Sequence, residues 1–139
     1  MTVQLDMLDS IGNDILTLDN KIRFVGIISD KGKLLSWNKK NGIRTLIDPK
    51  EQEVLLMEIA LGVRMRREHD SYLGPVNFTV SYGEKTVLMV FPFGMEILCI
   101  SAEKEIDVSQ VPFRIFRYLE QDQFQKEHAL TCETMDNLI

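Results

Sequence analysis

Hydrophobic and polar positions follow two different periods along this chain, and each change of period marks a predicted element. Apolar residues recur at helical spacing from Leu8 to Leu18, which predicts an amphipathic helix over about residues 3–18. The next stretch, about residues 22–37, has two apolar runs joined by a turn that contains Asp30 and Gly32. This pattern predicts a β-hairpin whose first strand is apolar on both faces.

The clearest local signal begins at Asp48. This residue is a typical N-cap, Pro49 suits the first helical position, and Glu51 stands three residues after the cap. We therefore predict a helix over about residues 49–68. Its apolar side chains cover a wide face, so the helix either packs on a core or shares that face between a core and a partner.

Three further strands are predicted at about residues 76–82, 86–91 and 96–101, before a last helix at about 109–126 and a tail at 127–139. The first of these strands alternates apolar and polar residues, whereas the next two are apolar on both faces. Strands that are apolar on both faces belong in the interior of a sheet, and an alternating strand suits an edge. An antiparallel sheet of five strands in the order 2-1-5-4-3 meets this condition.

The predicted fold class is therefore α+β, with elements in the order α-β-β-α-β-β-β-α within a single domain of 139 residues. In a sheet of this order, the middle helix has to cross one face and the two terminal helices cover the other. The expected architecture is a three-layer α-β-α sandwich.

Composition and charge narrow the classes of function. Hydrophobic residues make up 45% and charged residues 27% of the chain, the balance of a soluble globular protein. A net charge of −5 argues against a nucleic-acid partner, because such proteins usually carry a basic stripe. No run approaches the ~18–20 apolar residues of a membrane span, and the first residues lack the basic start of a signal peptide. We expect a cytoplasmic protein.

No arrangement of residues predicts a catalytic, cofactor-binding or metal-binding site. Cys99 and Cys132 lack a metal or redox spacing, so both are interpreted as free thiols, with Cys99 in the core. His69 and His128 stand apart from other ligand residues, which favours surface histidines over metal ligands. The chain shows no acid/base pair, catalytic triad or phosphate-binding loop. The sequence therefore predicts a protein that is not an enzyme.

The segment RFVGIISDKGKLLS, the long helix after it, and the segment VSYGEKTVLMVFPFGMEILCISAEKEI together resemble the layout of roadblock/LC7 domains. These domains are related to profilin-like and longin folds, and the resemblance extends over about residues 5–119. The chain is also similar to small uncharacterised archaeal proteins of the same organisation. The resemblance implies a non-catalytic protein that dimerises through its middle helix and third strand. It further implies a second protein as partner, with small GTPases as one class of partner.

The residues themselves indicate the same surface. The strand at residues 76–82 is an edge with unpaired backbone groups, and it contains no Pro or Lys that would oppose pairing. The middle helix carries more apolar side chains than one face of a sheet needs. We expect a homodimer whose interface comprises Val54, Met57, Glu58, Leu61 and Met65 of the helix and Phe78, Thr79, Val80 and Ser81 of the strand.

A basic cluster, Arg64, Arg66 and Arg67, stands at the end of the middle helix. Cations are favourable at a helix C-terminus on electrostatic grounds alone, which supports a structural explanation. The alternative is a surface for an acidic partner or an anionic ligand, formed together with the cations between Lys39 and Arg44.

Two functions remain open. The first is a dimerising adaptor or regulator, and the alternative is a small-ligand sensor of the PAS type, which has the same strand order. A PAS-like domain usually has several short helices between its second and third strands. This chain has one well-capped helix of about twenty residues there, which favours the adaptor. For the sensor, the loop from Asn38 to Ile47 is the expected place for a pocket.

Overall fold

A five-stranded antiparallel sheet organises the computed structural model, which describes residues 2–121 of the chain. Helix α1 (Thr2–Leu16) precedes a hairpin of β1 (Ile22–Ser29) and β2 (Leu34–Lys39). Helix α2 (Pro49–Arg67) and a short helix α3 (Asp70–Leu73) follow. Strands β3 (Thr79–Tyr82), β4 (Val87–Phe93) and β5 (Glu96–Ala102) and helix α4 (Val111–Gln121) complete the order. The strand order β2-β1-β5-β4-β3 and the α+β class confirm the prediction from the sequence.

The helix bounds differ from the predicted ones by small amounts. Helix α1 ends at Leu16 and α2 at Arg67, and the short α3 is an element that the sequence did not predict. The predicted helix at 109–126 corresponds to α4, and its residues 122–126 lie outside the described part of the chain. The predicted tail at 127–139, with His128 and Cys132, also lies outside it. Within residues 2–121, no helix has the length and apolarity needed to cross a membrane.

Strand β3 is shorter than the predicted strand at 76–82, and Pro92 of the neighbouring strand explains the difference. The register pairs Thr79 with Val90, so that Asn77 would stand opposite Pro92. Proline has no N–H to donate across the ladder. The pairing of β3 with β4 therefore ends at Thr79, while Pro92 itself remains paired with Ile97 of β5.

The two faces of the sheet are covered to very different extents. Helices α1 and α4 pack on one face and form a large core, which includes Leu8, Ile11 and Ile15 of α1, Ile115 and Leu119 of α4, and Ile27, Phe91, Leu98 and Ile100 of the sheet. Among residues 2–121, α2 is the one long helix on the other face. Its smaller core consists of Leu56 and Ala60 of α2 packed on Ile28, Ile97 and Cys99.

The start of α2 is fixed by the residues that predicted it. The carboxylate of Asp48 accepts a hydrogen bond of 2.8 Å from the backbone N–H of Glu51, and Pro49 occupies the first turn. The side chain thus satisfies one of the backbone donors that every helix leaves free at its N-terminus.

The β1–β2 turn abuts the backbone of α2 at Gly32. This glycine has a φ of +87°, and its N–H donates to the carbonyl of Ser29 at 2.9 Å. A Cβ at this position would lie 2.8 Å from Cα of Met57 and 2.9 Å from the carbonyl oxygen of Leu56. Glycine is therefore needed both for the left-handed conformation and for the close approach of the turn to the helix.

We expect Gly32→Ala to lower the free energy of unfolding. The left-handed φ alone costs roughly 1–2 kcal/mol for an L-residue, and displacement of α2 adds to that cost. Gly62→Ala is the matched control, because a Cβ at Gly62 in α2 meets nothing within 4 Å. That change should raise stability by up to ~1 kcal/mol through helix propensity. Urea unfolding of both variants checks the prediction, and equal effects of the two would contradict it.

Candidate interaction surface

Helix α2 has two opposite apolar faces. Leu56 and Ala60 are buried against the sheet. On the opposite side lies a row of solvent-facing apolar residues between 49% and 63% exposed, here called the α2 stripe: Val54, Met57, Leu61 and Met65. Glu58 lies within the same turns and is also exposed. The structure thus places all five helix residues of the predicted interface on the face that the sheet leaves uncovered.

Strand β3 forms an open edge of the sheet, here called the β3 edge (Thr79–Tyr82), and all four of its residues are exposed. The N–H of Gly83 donates to the carbonyl of Thr86, which sets the alternation of hydrogen bonds along the hairpin. Because hydrogen-bonded pairs recur at every second residue of an antiparallel ladder, the backbone groups of Thr79 and Ser81 bond to β4. The backbone groups of Val80 and Tyr82 therefore point away from β4 and are available to another strand.

Phe78 has a different position from the other predicted interface residues. It precedes β3 and is half-buried among aromatic rings on the α4 side of the sheet. Its ring centroid lies 5.4 Å from that of Phe91 and 5.1 Å from that of Phe113, which it meets edge-on. Its side chain serves the core, so that the edge itself begins at Thr79.

A groove of about 350 Å³ separates the C-terminal half of α2 from the β3 edge. Gly62 and Val63 of α2 line one side, and Val76, Thr79 and Val90 line the other. The groove therefore lies between α2 and the β3 side of the sheet, and the four residues of the α2 stripe are not part of its lining.

The three arginines at the end of α2 have separate roles. Arg66 is half-buried, pairs with Asp70 at 3.0 Å and donates to the carbonyl of Gly74 at 3.3 Å. It therefore fixes the corner between α2 and α3. Arg64 and Arg67 are exposed, and Arg67 lines the groove.

Lys39 and Arg44 lie beside the other half of α2, whereas the Lys40 ammonium donates to the carbonyl of Asp19 at 3.3 Å, after the end of α1. The Lys39 ammonium donates to the carbonyl of Ile43 at 3.3 Å, and the Arg23 guanidinium donates to the carbonyl of Arg44 at 2.7 Å. Lys39 and Arg44 line a second cavity, of about 110 Å³, whereas Arg66 and Arg67 line the groove. The two basic groups thus border different spaces on the α2 side of the sheet.

Cys99 is buried, whereas His69 and Asp107 are exposed. Burial raises the pKa of the Cys99 thiol to about 12, so the nucleophilic thiolate is scarce at neutral pH. His69 is exposed and its Nδ1 contacts the hydroxyl of Tyr72. Hydrogen bonds from Ser109 hold the pKa of the Asp107 carboxyl below its usual range ahead of α4. Among the described residues, no three His, Cys, Asp or Glu side chains form a group that could hold a metal ion.

Solved structures with low sequence identity share this fold. A structure of MglB with a tetrameric arrangement matches with a TM-score of 0.69 and 16% identity, over 89% of this chain and 91% of that one. MglB from Myxococcus xanthus matches with a TM-score of 0.64 and 15% identity, over 97% and 92%. A roadblock/LC7 domain from Streptomyces avermitilis matches with a TM-score of 0.60 and 14% identity, over 81% and 93%. The chain therefore has the roadblock/LC7 fold, as the resemblance in sequence predicted.

Comparison with curated proteins gives no match. A family model matches residues 6–128, and its description is a family of unknown function, DUF6659. Because this match covers far more than half of the chain, from α1 through α4, the protein belongs to the DUF6659 family.

Proposed function

We propose that this protein is a non-enzymatic adaptor or regulatory module that forms a two-fold homodimer. The observation that carries the proposal is the α2 stripe, a row of apolar side chains on a helix whose opposite face is already buried. Single exposed apolar residues are ordinary, but a contiguous apolar row at helical spacing is typical of a contact surface. The same helix of a second copy offers a matching apolar row.

The β3 edge supports the same arrangement. If two copies pair this edge antiparallel about a two-fold axis, the outward backbone groups of Val80 and Tyr82 gain partners and the two sheets become continuous. The tetrameric arrangement of one MglB shows that another protein of this fold self-associates.

The side chains along α2 also fit two antiparallel helices. With a two-fold axis near Leu61, Met57 of one copy lies at the level of Met65 of the other. Glu58 and Arg64 lie on opposite flanks of the α2 stripe, so the like charges of each helix are spread to either side of the apolar contact. The helical contact in this arrangement therefore rests on the apolar side chains.

Charge placed in the α2 stripe should separate the dimer. Met65→Glu buries a carboxylate in the proposed contact, and we expect native mass spectrometry to show monomers at concentrations where the wild type is dimeric. Met95→Glu is the matched control, because Met95 lies in the β4–β5 loop and is 68% exposed against 60% for Met65. A wild-type protein that stays monomeric at high micromolar concentration, or equal effects of the two variants, would overturn the proposal.

A second pair of variants tests the β3 edge. Val80→Pro removes an N–H that points away from β4, so it should weaken the dimer at little cost to the fold of the monomer. Ser81→Pro removes an N–H that bonds to Leu88, so it should destabilise the monomer instead. Sedimentation reports the dimer and thermal unfolding reports the fold. If Val80→Pro leaves the dimer intact, the strand is not part of the interface.

The partner that we propose for the dimer is another signalling protein, and the roadblock/LC7 resemblance makes a small GTPase the first class to test. Purified small GTPases of the host, loaded with GDP or with a non-hydrolysable GTP analogue, can be titrated against the immobilised protein. We expect one of them to bind in a nucleotide-dependent way, and to bind Met65→Glu more weakly. If none binds in either state, the GTPase part of the proposal fails while the dimer stands on its own test.

The non-enzymatic part of the proposal rests on the protonated, buried thiol of Cys99 and on the exposed setting of His69. A free buried thiol also suits a reducing compartment, so we propose that the protein acts in the cytoplasm. The PAS-like alternative is less well supported, because the connection between β2 and β3 contains one long helix, α2 with 19 residues, and only the short α3 besides it.

A further inference from the structure

A small cavity of about 110 Å³ lies on the α2 side of the sheet. Its floor is formed by Leu88 of β4 and by Cys99 and Ser101 of β5, and Leu55 and Ile59 of α2 form one wall. The loop after β2 closes the remaining side with Ile43, Leu46 and Ile47. The cavity is therefore apolar in most directions and lies where the sequence predicted a pocket for the PAS-like alternative.

The floor of the cavity carries a polar side chain. Ser101 is only 4% exposed, and it lines the cavity. Its hydroxyl is not among the fully buried polar atoms that lack a hydrogen-bond partner. It is a polar group that a ligand atom or a water molecule in the cavity can contact.

The solvent side of the cavity is strongly positive. Arg23, Lys39 and Arg44 all line it, and no Asp or Glu does, although the chain as a whole carries a net charge of −5. None of the three forms an ion pair with a described residue. Arg23 and Lys39 instead donate to carbonyl oxygens of the loop, which holds the loop over the cavity. Because a guanidinium has five N–H donors, Arg23 can hold the loop and still bind an anion.

We infer that this cavity binds a small organic carboxylate with a compact apolar end. The apolar end enters the space between the sheet and α2, and the carboxylate meets Arg23, Lys39 and Arg44. At about 110 Å³ the cavity is smaller than the apolar cavity of about 150 Å³ that holds benzene, so the apolar end has to be no larger than a single ring that lies partly toward the open side. This inference concerns a ligand and does not rest on the proposed adaptor function, since the cavity lies within one copy of the chain.

Phenylacetate is the probe, and phenylacetamide, which has nearly the same shape without the charge, is its control. Titration calorimetry at low ionic strength should show binding of phenylacetate and about tenfold weaker binding of the amide, as expected for loss of a charge-assisted contact. In amide NMR spectra, shifts should concentrate in residues 43–47 and around Ser101.

Two variants separate the charge from the cavity. Arg44→Gln removes a cation but keeps the backbone carbonyl to which Arg23 donates. This variant should bind phenylacetate several-fold more weakly than the wild type and should bind phenylacetamide with unchanged affinity. Arg64→Gln, at an exposed arginine outside the cavity, is its control. Ser101→Ile fills the floor and should abolish binding of both compounds, with thermal unfolding confirming that the variant is folded.

Several results would overturn the inference. No binding of phenylacetate at millimolar concentration means that the cavity is not a carboxylate site. If phenylacetate and phenylacetamide bind with equal affinity, the three cations do not contact the ligand. If the folded Ser101→Ile variant binds phenylacetate as tightly as the wild type does, the ligand binds outside this cavity. Native mass spectrometry of the same samples reports the dimer separately, so the ligand and the proposed adaptor function can fail independently.

Discussion

The burial of β5 on both faces is the constraint from which the rest of the molecule follows. Every residue of this strand is buried, and β1 and β4 flank it on either side. A strand of this kind requires a layer on each face of the sheet. Two helices supply one layer, and α2 is the one long helix of the other among residues 2–121. One helix is narrower than five strands, so the α2 side keeps a groove, a cavity and an outward apolar row.

The strand order could be predicted because the pattern of apolar and polar residues in a strand depends on whether the strand lies in the interior or at the edge of the sheet. Apolar runs on both faces identify β1, β4 and β5 as interior strands, and no knowledge of partners is needed. The end of β3 could not be predicted in this way, because it depends on which residue of β4 stands opposite Asn77. Pro92 stops the ladder only in the observed register, and a register is a property of two segments together. The short helix α3 has four residues, too few for a helical period to be visible.

The candidate surfaces show the same division. The period of α2 predicted a wide apolar face, and the apolar helix residues that were assigned from it to an interface are exposed. The structure assigns Leu56 and Ala60 to the core and leaves Met57 and Leu61 outside. The small cavity was beyond prediction in detail, since it arises where small side chains of β5 meet a loop that is distant in sequence. In the sequence, Arg66 is not distinguishable from Arg64 and Arg67. In the structure, it differs from them because its guanidinium binds Asp70 and the carbonyl of Gly74.

Pro92 has an effect on how assemblies of this chain can grow. By ending the ladder at Thr79, it leaves an exposed strand of four residues, of which only Val80 and Tyr82 direct backbone groups outward. So short an edge offers few intermolecular hydrogen bonds, which protects the sheet from open-ended extension into fibrils. It also means that backbone pairing alone selects no particular neighbour. In the proposed dimer, the choice of neighbour would then fall to the side chains on α2, and a related chain with a compatible helix would compete for the same place.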